Sequence, residues 1–550
     1  MSNHPLPPSI LLSQTPLKFL TALTLLLALL ALHSIYTNLL ASPLRRVPGP
    51  KSYALSKWRL AYDDYIGERT RAIEALHNKY GDVVRVGPNE VSFRSLAALK
   101  RIYGAGSGFQ RGAFYRMFDV YGRQNLFTFA GMREHGARKK LLNHAYSKTS
   151  ILSPRNTTMV QEKTAQFLSL IASEATRTNN APLEIFSALH YFSLDSISKF
   201  VYGPASGGGA TACLTGSAKD RTLLDAIFNP ARRRLTWFSV HLPSLTNWLY
   251  TRAGVMGSLI ASLHLLPMSQ PSTFEGIRAH GLAAVQGLEK PSSSSSSSSA
   301  AEQPEESIMN KLWSVHDNAA KGVSLDLLDV ASECADHLLA GIDTTSDTLM
   351  MAIFSLSQAK NRAFQEKLRA EVLGVDEEGD VDGDGVVRAV AADRLPYLDA
   401  VLKETLRLFA PLPGSEPRFS DREEVIDGFV IPGGTVVSMS PYGLHRNPEV
   451  FRDPLRFDPE RWLGSAEEVA AMKKWFWAFS SGGRMCIGMH LAMAEMTTLL
   501  ATVYRKYRTE IAPGFEEYSP GITARYEVFY DELFSKVAEH KCLVKFVEAQ

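Results

Sequence analysis

Phe479 to Gly488 reads FSSGGRMCIG, with glycine at 482, 483 and 488, arginine at 484 and cysteine at 486. Each residue type has a physical use there. Gly482, Gly483 and Gly488 let the backbone turn tightly and approach a flat ligand closely. A helical pattern starts just after Cys486, with Ile487, Leu491, Ala494 and Leu499 apolar. A cysteine at a helix N-terminus feels the positive end of the dipole, which favours its thiolate. The plain alternative is a small buried cysteine beside a turn, the usual fate of a free one.

A thiolate on a glycine-rich loop, with Arg484 two residues before it, suits an axial ligand to haem iron with a cation for a propionate. The pattern F-x-x-G-x-R-x-C-x-G, carried by Phe479, Gly482, Arg484, Cys486 and Gly488, resembles the haem-binding loop of the cytochrome P450 superfamily. Such a match arises by chance in on the order of one chain in ten thousand. The resemblance implies the fold of that family, mainly α with small β-sheets (α+β), and Cys486 as the metal ligand.

A long helix is predicted from Ser324 to Lys360, with Asp326 and Asp329 in its first turns and Leu327, Ala331, Cys334, Leu338, Ile342, Leu349 and Ile353 on its buried face. It contains LAGIDTT, Leu339 to Thr345. Glycine inside a helix costs about 1 kcal/mol relative to alanine, so Gly341 asks for a reason. The Thr344 hydroxyl can bond back to the Ala340 carbonyl and bend the helix. The segment resembles the family's A-G-x-[DE]-T-[ST] at Ala340, Gly341, Asp343, Thr344 and Thr345. The resemblance implies a groove that holds dioxygen over the haem, with Asp343 and Thr344 relaying protons to it.

Glu404 and Arg407 share one face of a helix that begins near Pro396 and ends before Pro411. Alone, such a pair is an ordinary surface feature. In this order it resembles the family's E-x-x-R, and Asp458-Pro459-Glu460-Arg461-Trp462 resembles its P-E-R-[FW] segment, which implies a structural network of Glu404, Arg407 and Arg461. The resemblance also marks Arg418 as a propionate contact. His135 and Lys139, at i and i+4, stand where the family has W-x-x-x-R or H-x-x-x-R. Lysine there is a point charge instead of a fork, and Arg138 is the other candidate. The basic run Arg133, Arg138, Lys139 and Lys140 also reads as a solvated face, or one that greets an acidic electron donor.

Composition narrows the classes. Lys plus Arg total 59 against 57 acids, a net charge of +2, which argues against a nucleic-acid binder. Cys213, Cys334, Cys486 and Cys542 form no C-x-x-C pair, so a disulfide framework and a structural zinc site are both disfavoured. Phe19 to Leu40 carries no Asp, Glu, Lys or Arg over 22 positions, about 33 Å of helix. Arg45, Arg46 and Lys51 follow it, which places the rest of the chain in the cytoplasm. A cleaved signal peptide competes, weakened by the uncharged first 17 residues. The expected layout is a short non-cytoplasmic tail (1–18), a transmembrane anchor (19–40), a Pro-rich extended hinge (41–50) and one haem-binding domain (51–550). Flexible inserts are expected at 291–306, with its serine run, and at 374–386, an acidic loop that imitates a calcium site without the bidentate Glu. Strand signal concentrates in Asp82–Phe93 and Glu424–Ser440.

The resemblance implies a haem-thiolate monooxygenase of the fungal microsomal kind. It would be a single-pass protein of the endoplasmic reticulum that oxidises a hydrophobic small molecule in secondary metabolism. NADPH electrons would arrive through NADPH-cytochrome P450 reductase, with cytochrome b5 a further partner alongside membrane lipid. A haem-thiolate isomerase or lyase is the alternative, and the Asp343-Thr344 pair counts against it. A non-catalytic haem protein is the third. The aromatic stretch Phe109–Phe129 is expected to help wall the substrate pocket and Leu412-Pro413-Gly414-Ser415 to pass near the haem edge, with ordinary core packing the alternative for both.

Overall fold

The computed structural model describes residues 14–178, 181–203, 209–225, 227–268, 275–289, 307–317, 325–525 and 527–548. Six helices position the site and are numbered in chain order: α1 Gln14–Ile35, α2 Met132–Leu142, α3 Ile185–Tyr202, α4 Leu327–Ser357, α5 Pro396–Leu408 and α6 Met489–Lys506. α4 starts because Asp326 and Asp329 form a reciprocal capping box, each side chain accepting the other's backbone N–H at 2.7 and 3.0 Å. It runs 31 residues, shorter than the stretch from 324 to 360 read from the pattern, and Gln358 turns extended to end it. Most of α4 is buried, its C-terminal half at the centre of the main core and its N-terminal half in a second core with α3. α5 opens on Pro396, whose missing N–H costs nothing at a helix start.

The strands are β1 Val83–Gly87, β2 Glu90–Phe93, β3 Leu183–Glu184, β4 Arg418–Phe419, β5 Glu424–Ile426, β6 Phe429–Ile431, β7 Val436–Ser438, β8 Tyr507–Ile511, β9 Tyr518–Ala524, β10 Glu527–Phe529, β11 Lys536–Glu539 and β12 Leu543–Glu548. They form sheets β1-β2-β7-β4, β10-β9-β11 and β3-β12-β8, and the hairpin β5-β6. The architecture is mainly α with small sheets. Both expected strand stretches are present. The C-terminal strands were not expected, because Arg508, Glu510, Lys545 and Glu548 interrupt their apolar pattern.

The apolar run Lys18–Leu40, 23 residues, is long and apolar enough to cross a membrane and is not buried against the body. Its end is tied down where Ser34 Oγ and Asn38 Nδ2 both donate to the Leu55 carbonyl at 3.0 Å. The hinge is not the extended arm expected of its prolines. Pro43–Arg46 is a 3-10 turn capped by Ser42, with Leu44 and Val47 buried, and Arg85 N donates to Pro48 O at 2.7 Å. The acidic loop near 374–386 is likewise no floppy insert. Asp382 accepts the N–H groups of Asp384 and Val386 at 3.0 and 2.9 Å and the Gln161 amide at 3.0 Å, while Val386 and Val387 are buried. The serine run lies outside the described residues.

Candidate haem-thiolate site

The loop from Phe479 to Gly488 is folded back on itself just ahead of α6. Cys486 N donates to Phe479 O at 2.9 Å and Met485 N to Gly482 O at 3.2 Å. Gly482 has φ +64, and a Cβ there would run into the Tyr103 carbonyl and the backbone of Gly104, so only glycine fits. Cys486 is set deep in the protein mass, yet its side chain is open, which places it on an internal recess. Burial pushes its thiol up, and the N–H groups of Gly488 and Met489 together with Lys139 pull it back toward the thiolate.

α4 runs beside this loop: its Leu338 and Ile342 share a core with Leu491 and Ala494 of α6, and Ile487 packs against it. Ala340 is exposed on a helix that is mostly buried, and the Asp343 side chain is 42% exposed. The Thr344 hydroxyl donates to Ala340 O at 2.8 Å. Gly341 points elsewhere. A Cβ on it would lie 2.6 Å from Ile197 Cγ1 of α3, so this glycine serves helix-to-helix approach and not the recess.

Four cations gather around His135. Burial, then Arg484, Arg111, Lys139 and Arg418, hold its imidazole down to about 3, so it is neutral. Arg418, placed by the β4–β7 pairing, donates to the Tyr115 hydroxyl, to Pro417 O at 2.9 Å and to Glu416 Oε2 at 3.2 Å. Arg484 donates to the carbonyls of Phe129, Ala130 and Gly131 at 2.8, 2.7 and 3.1 Å. Burial and the positive charge of Arg111 and Arg418 lower it to about 9. Arg111 lies over the rings of Tyr115 and Phe127, at 4.6 and 4.5 Å. The Nε atoms of Arg111 and Arg484 are buried without a partner. Like charges collected in a dry place, with donors unused, fit a ligand that brings two carboxylates. Beside a cysteine on a glycine loop, these residues fit haem.

The comparisons with known proteins agree. Residues 288–520 match the family described as Cytochrome P450. The cytochrome P450 monooxygenase sdnE of Sordaria araneosa is 30% identical over 504 residues, 90% of this chain and 92% of that one. The chain belongs to the cytochrome P450 family. The cytochrome P450 monooxygenase aflV of Aspergillus parasiticus is 27% identical over 506 residues, 92% of this chain and 91% of its own. The N-acetyltryptophan 6-hydroxylase ivoC of Emericella nidulans is 29% identical over 510 residues, 89% and 91% of the two chains. The chain is a P450-type monooxygenase, an oxidoreductase, and its family implies a haem with a cysteine thiolate on the iron.

In this P450 the E-x-x-R residues meet the later arginine. The buried Glu404 carboxylate accepts from Arg407 at 2.9 and 2.8 Å, from Arg461 Nε at 3.0 Å, from Trp462 Nε1 at 3.0 Å and from Asp458 N at 2.9 Å. Arg407 also donates to His445 O at 2.9 Å and Pro454 O at 2.7 Å. Two residues of this arrangement escaped the sequence reading. His445 is buried; its Nδ1 donates to Arg407 O at 3.0 Å, and its Nε2 accepts Trp477 N–H at 2.7 Å, joining the network to the segment before Cys486. Arg111 is the other, and nothing in the sequence set it apart from Arg116 and Arg123 of the same aromatic stretch. The basic face of α2 also needs correction. Arg138 is buried and paired with the buried Glu333, so Lys139 is the residue of the two that faces the loop.

Proposed function

We propose that this P450 uses haem held by Cys486 to oxidise a hydrophobic small molecule, within fungal secondary metabolism, with NADPH electrons delivered by NADPH-cytochrome P450 reductase and optionally cytochrome b5. The carrying observation is the cluster of Arg111, Lys139, Arg418 and Arg484 beside the Cys486 loop. When bound, haem supplies the oxygen chemistry that side chains lack. The chain's own residues do the rest. Phe479, Gly482 and Gly488 shape the loop; His135, Arg418 and Arg484 meet the propionates; Lys139 braces the loop; Ala340 leaves room above it. Burial raises the carboxyl of Asp343, the group that would pass a proton toward the Thr344 hydroxyl. Glu404, Arg407 and Arg461 keep the loop in place.

Substrate class is read from the wall. Phe114, Tyr115, Phe118 and Phe127 pack edge to face at 5.2 to 6.0 Å between centroids, and Leu412 is exposed nearby in sequence to the buried Arg418. That lining favours an apolar, polycyclic or terpenoid molecule. The layout is a single domain from 51 to 550 behind an anchor in the endoplasmic reticulum membrane, facing the cytoplasm. Exposed Trp58, Tyr62, Tyr65, Leu245, Trp248, Val255, Met256 and Leu259 are apolar side chains that lipid would cover.

The test is the full-length chain in lipid vesicles with the reductase and NADPH. Oxygen uptake that depends on NADPH, and a reduced, CO-bound spectrum of the thiolate type that Cys486→Ala abolishes, are expected. Peroxide-only turnover, or a thiolate spectrum that survives Cys486→Ala, overturns the reading.

A further inference from the structure

Behind Thr344, on the side of α4 that meets α3, a buried imidazole faces the buried oxygen of a part-exposed carboxyl. His190 Nε2 lies 3.7 Å from Asp343 Oδ1, and that oxygen is buried without a hydrogen-bond partner. His190 Nδ1 is 2.7 Å from the Phe186 carbonyl one turn back in α3. A carbonyl only accepts, so Nδ1 carries the hydrogen and Nε2 presents a lone pair to Asp343. A bare carboxylate opposite that lone pair would repel it. At 3.7 Å the two are not hydrogen-bonded, and a carboxylic acid that closed this gap by less than about 1 Å would satisfy both.

We propose that His190 and Asp343 hold one proton between them and serve as the proton store for oxygen activation, with His190 as the positioning residue. The inference rests on the role given to Asp343 under Proposed function. Burial disfavours charge on either group: it lowers the imidazole to about 4 and raises the carboxyl. The pair is therefore net neutral when it holds one proton. Releasing that proton toward Thr344 leaves a carboxylate, which solvent must reprotonate. His540 stacks on Phe186 at 5.0 Å and lies 3.2 Å from Thr523 Oγ1, which donates to Glu539 at 2.9 Å, and Glu539 pairs with Arg233 at 2.9 Å with a quarter of its side chain exposed. Arg232 and His540 are the basic groups that act on Asp343, Asp347 is the buried acid one turn further along α4, and Glu184 and His540 act on His190.

The Phe186 and Phe228 rings lie 4.1 and 5.1 Å from that of His190, so phenylalanine suits the same space. His190→Phe, His190→Gln and Asp343→Asn are compared with the parent by infrared spectroscopy on the ferric protein and by the NADPH-to-oxygen ratio in reductase-containing vesicles. The parent is expected to show a carbonyl band of a protonated buried carboxyl that Asp343→Asn removes. His190→Phe is expected to shift that band and its titration, and to raise the share of oxygen released as peroxide by roughly three- to tenfold, below the span of a full general acid. His190→Gln keeps a polar group that cannot titrate and gives the same result if the phenylalanine variant loads poorly. The proposal is overturned if Asp343→Asn changes band and ratio while both His190 variants leave them at parental values. If Asp343→Asn itself changes nothing, the role of Asp343 fails first and the inference falls with it.

Discussion

Lys139 Nζ donates to the carbonyl oxygens of Gly483, at 2.9 Å, and Met485, at 3.0 Å, two residues of the loop that carries Cys486. The family pattern sets an arginine at this position against a propionate. A lysine cannot offer a planar fork, but its single ammonium on a flexible stem reaches two carbonyls at once. The same side chain therefore braces the loop from one side while His135 lies one helical turn away. Lys139→Met keeps the apolar stem and removes both bonds. Because the ammonium is partly solvated, the loss is set at about 1 kcal/mol, the middle of the range for such bonds. Haem transfer to a scavenging apoprotein is expected to quicken about fivefold, and Lys139→Arg to stay near the parent.

Arg111 leads to a prediction whose sign depends on loading. In the haem-free protein it stands with Arg418 and Arg484 as a like charge in a buried place, and its own guanidinium is pulled down by burial. Arg111→Gln is expected to raise the melting temperature of the haem-free protein and lower that of the loaded one. Thermal scans of both forms check this, and a shift of the same sign in each would remove Arg111 from the ligand's electrostatics.

Acid lability has a defined direction. His445 is held at about 3 and His77 at about 4, both by burial first, against an ordinary value of 6.5. Each stays neutral when folded and takes a proton when unfolded. Its stabilisation is thus complete above 6.5 and shrinks as pH falls toward the folded value, by up to about 1.4 kcal/mol per pH unit per histidine. Glu404 is kept charged by Arg407, which opposes its burial, so its contribution disappears only lower, below about 4.5. Denaturant midpoints are expected to fall between pH 6.5 and 4.5, and His445→Gln to flatten that slope. An unchanged slope in the variant would place the titration elsewhere.

The parts of the site legible in the sequence share one trait. Cys486, the Glu404–Arg407 pair and Asp343–Thr344 each sit in a short segment where one turn or one helix sets their spacing. Arg111 and His445 were not legible, because their partners arrive from distant segments: Arg418 and Arg484 for one, Arg407 and Trp477 for the other. β12 pairs with β3, at Leu183 and Glu184, across most of the chain, and no local pattern announces it. The rotation of a helix is a subtler gap. One residue is about 100° of turn, so Ala340 opens on the recess while Gly341 meets α3.

Gly341→Ala separates the two explanations for that glycine. Alanine improves helix propensity by about 1 kcal/mol, so an uncrowded position would gain stability. Here the new Cβ would lie 2.6 Å from Cγ1 and 2.9 Å from Cδ1 of Ile197, and α3 and α4 would have to part. Overpacking of this kind costs about 1–3 kcal/mol, which matches or exceeds the propensity gain. The single variant is therefore expected to lose stability, with a changed fit of α3 that also disturbs His190. Ile197→Ala alone leaves a cavity and is expected to destabilise too. Joined, the two changes fill each other's space, and a double-mutant cycle on unfolding is expected to show a favourable coupling of about 1 kcal/mol or more. Additive effects would mean that the glycine answers to the recess after all, and haem retention in the single variant would then be the quantity to fall.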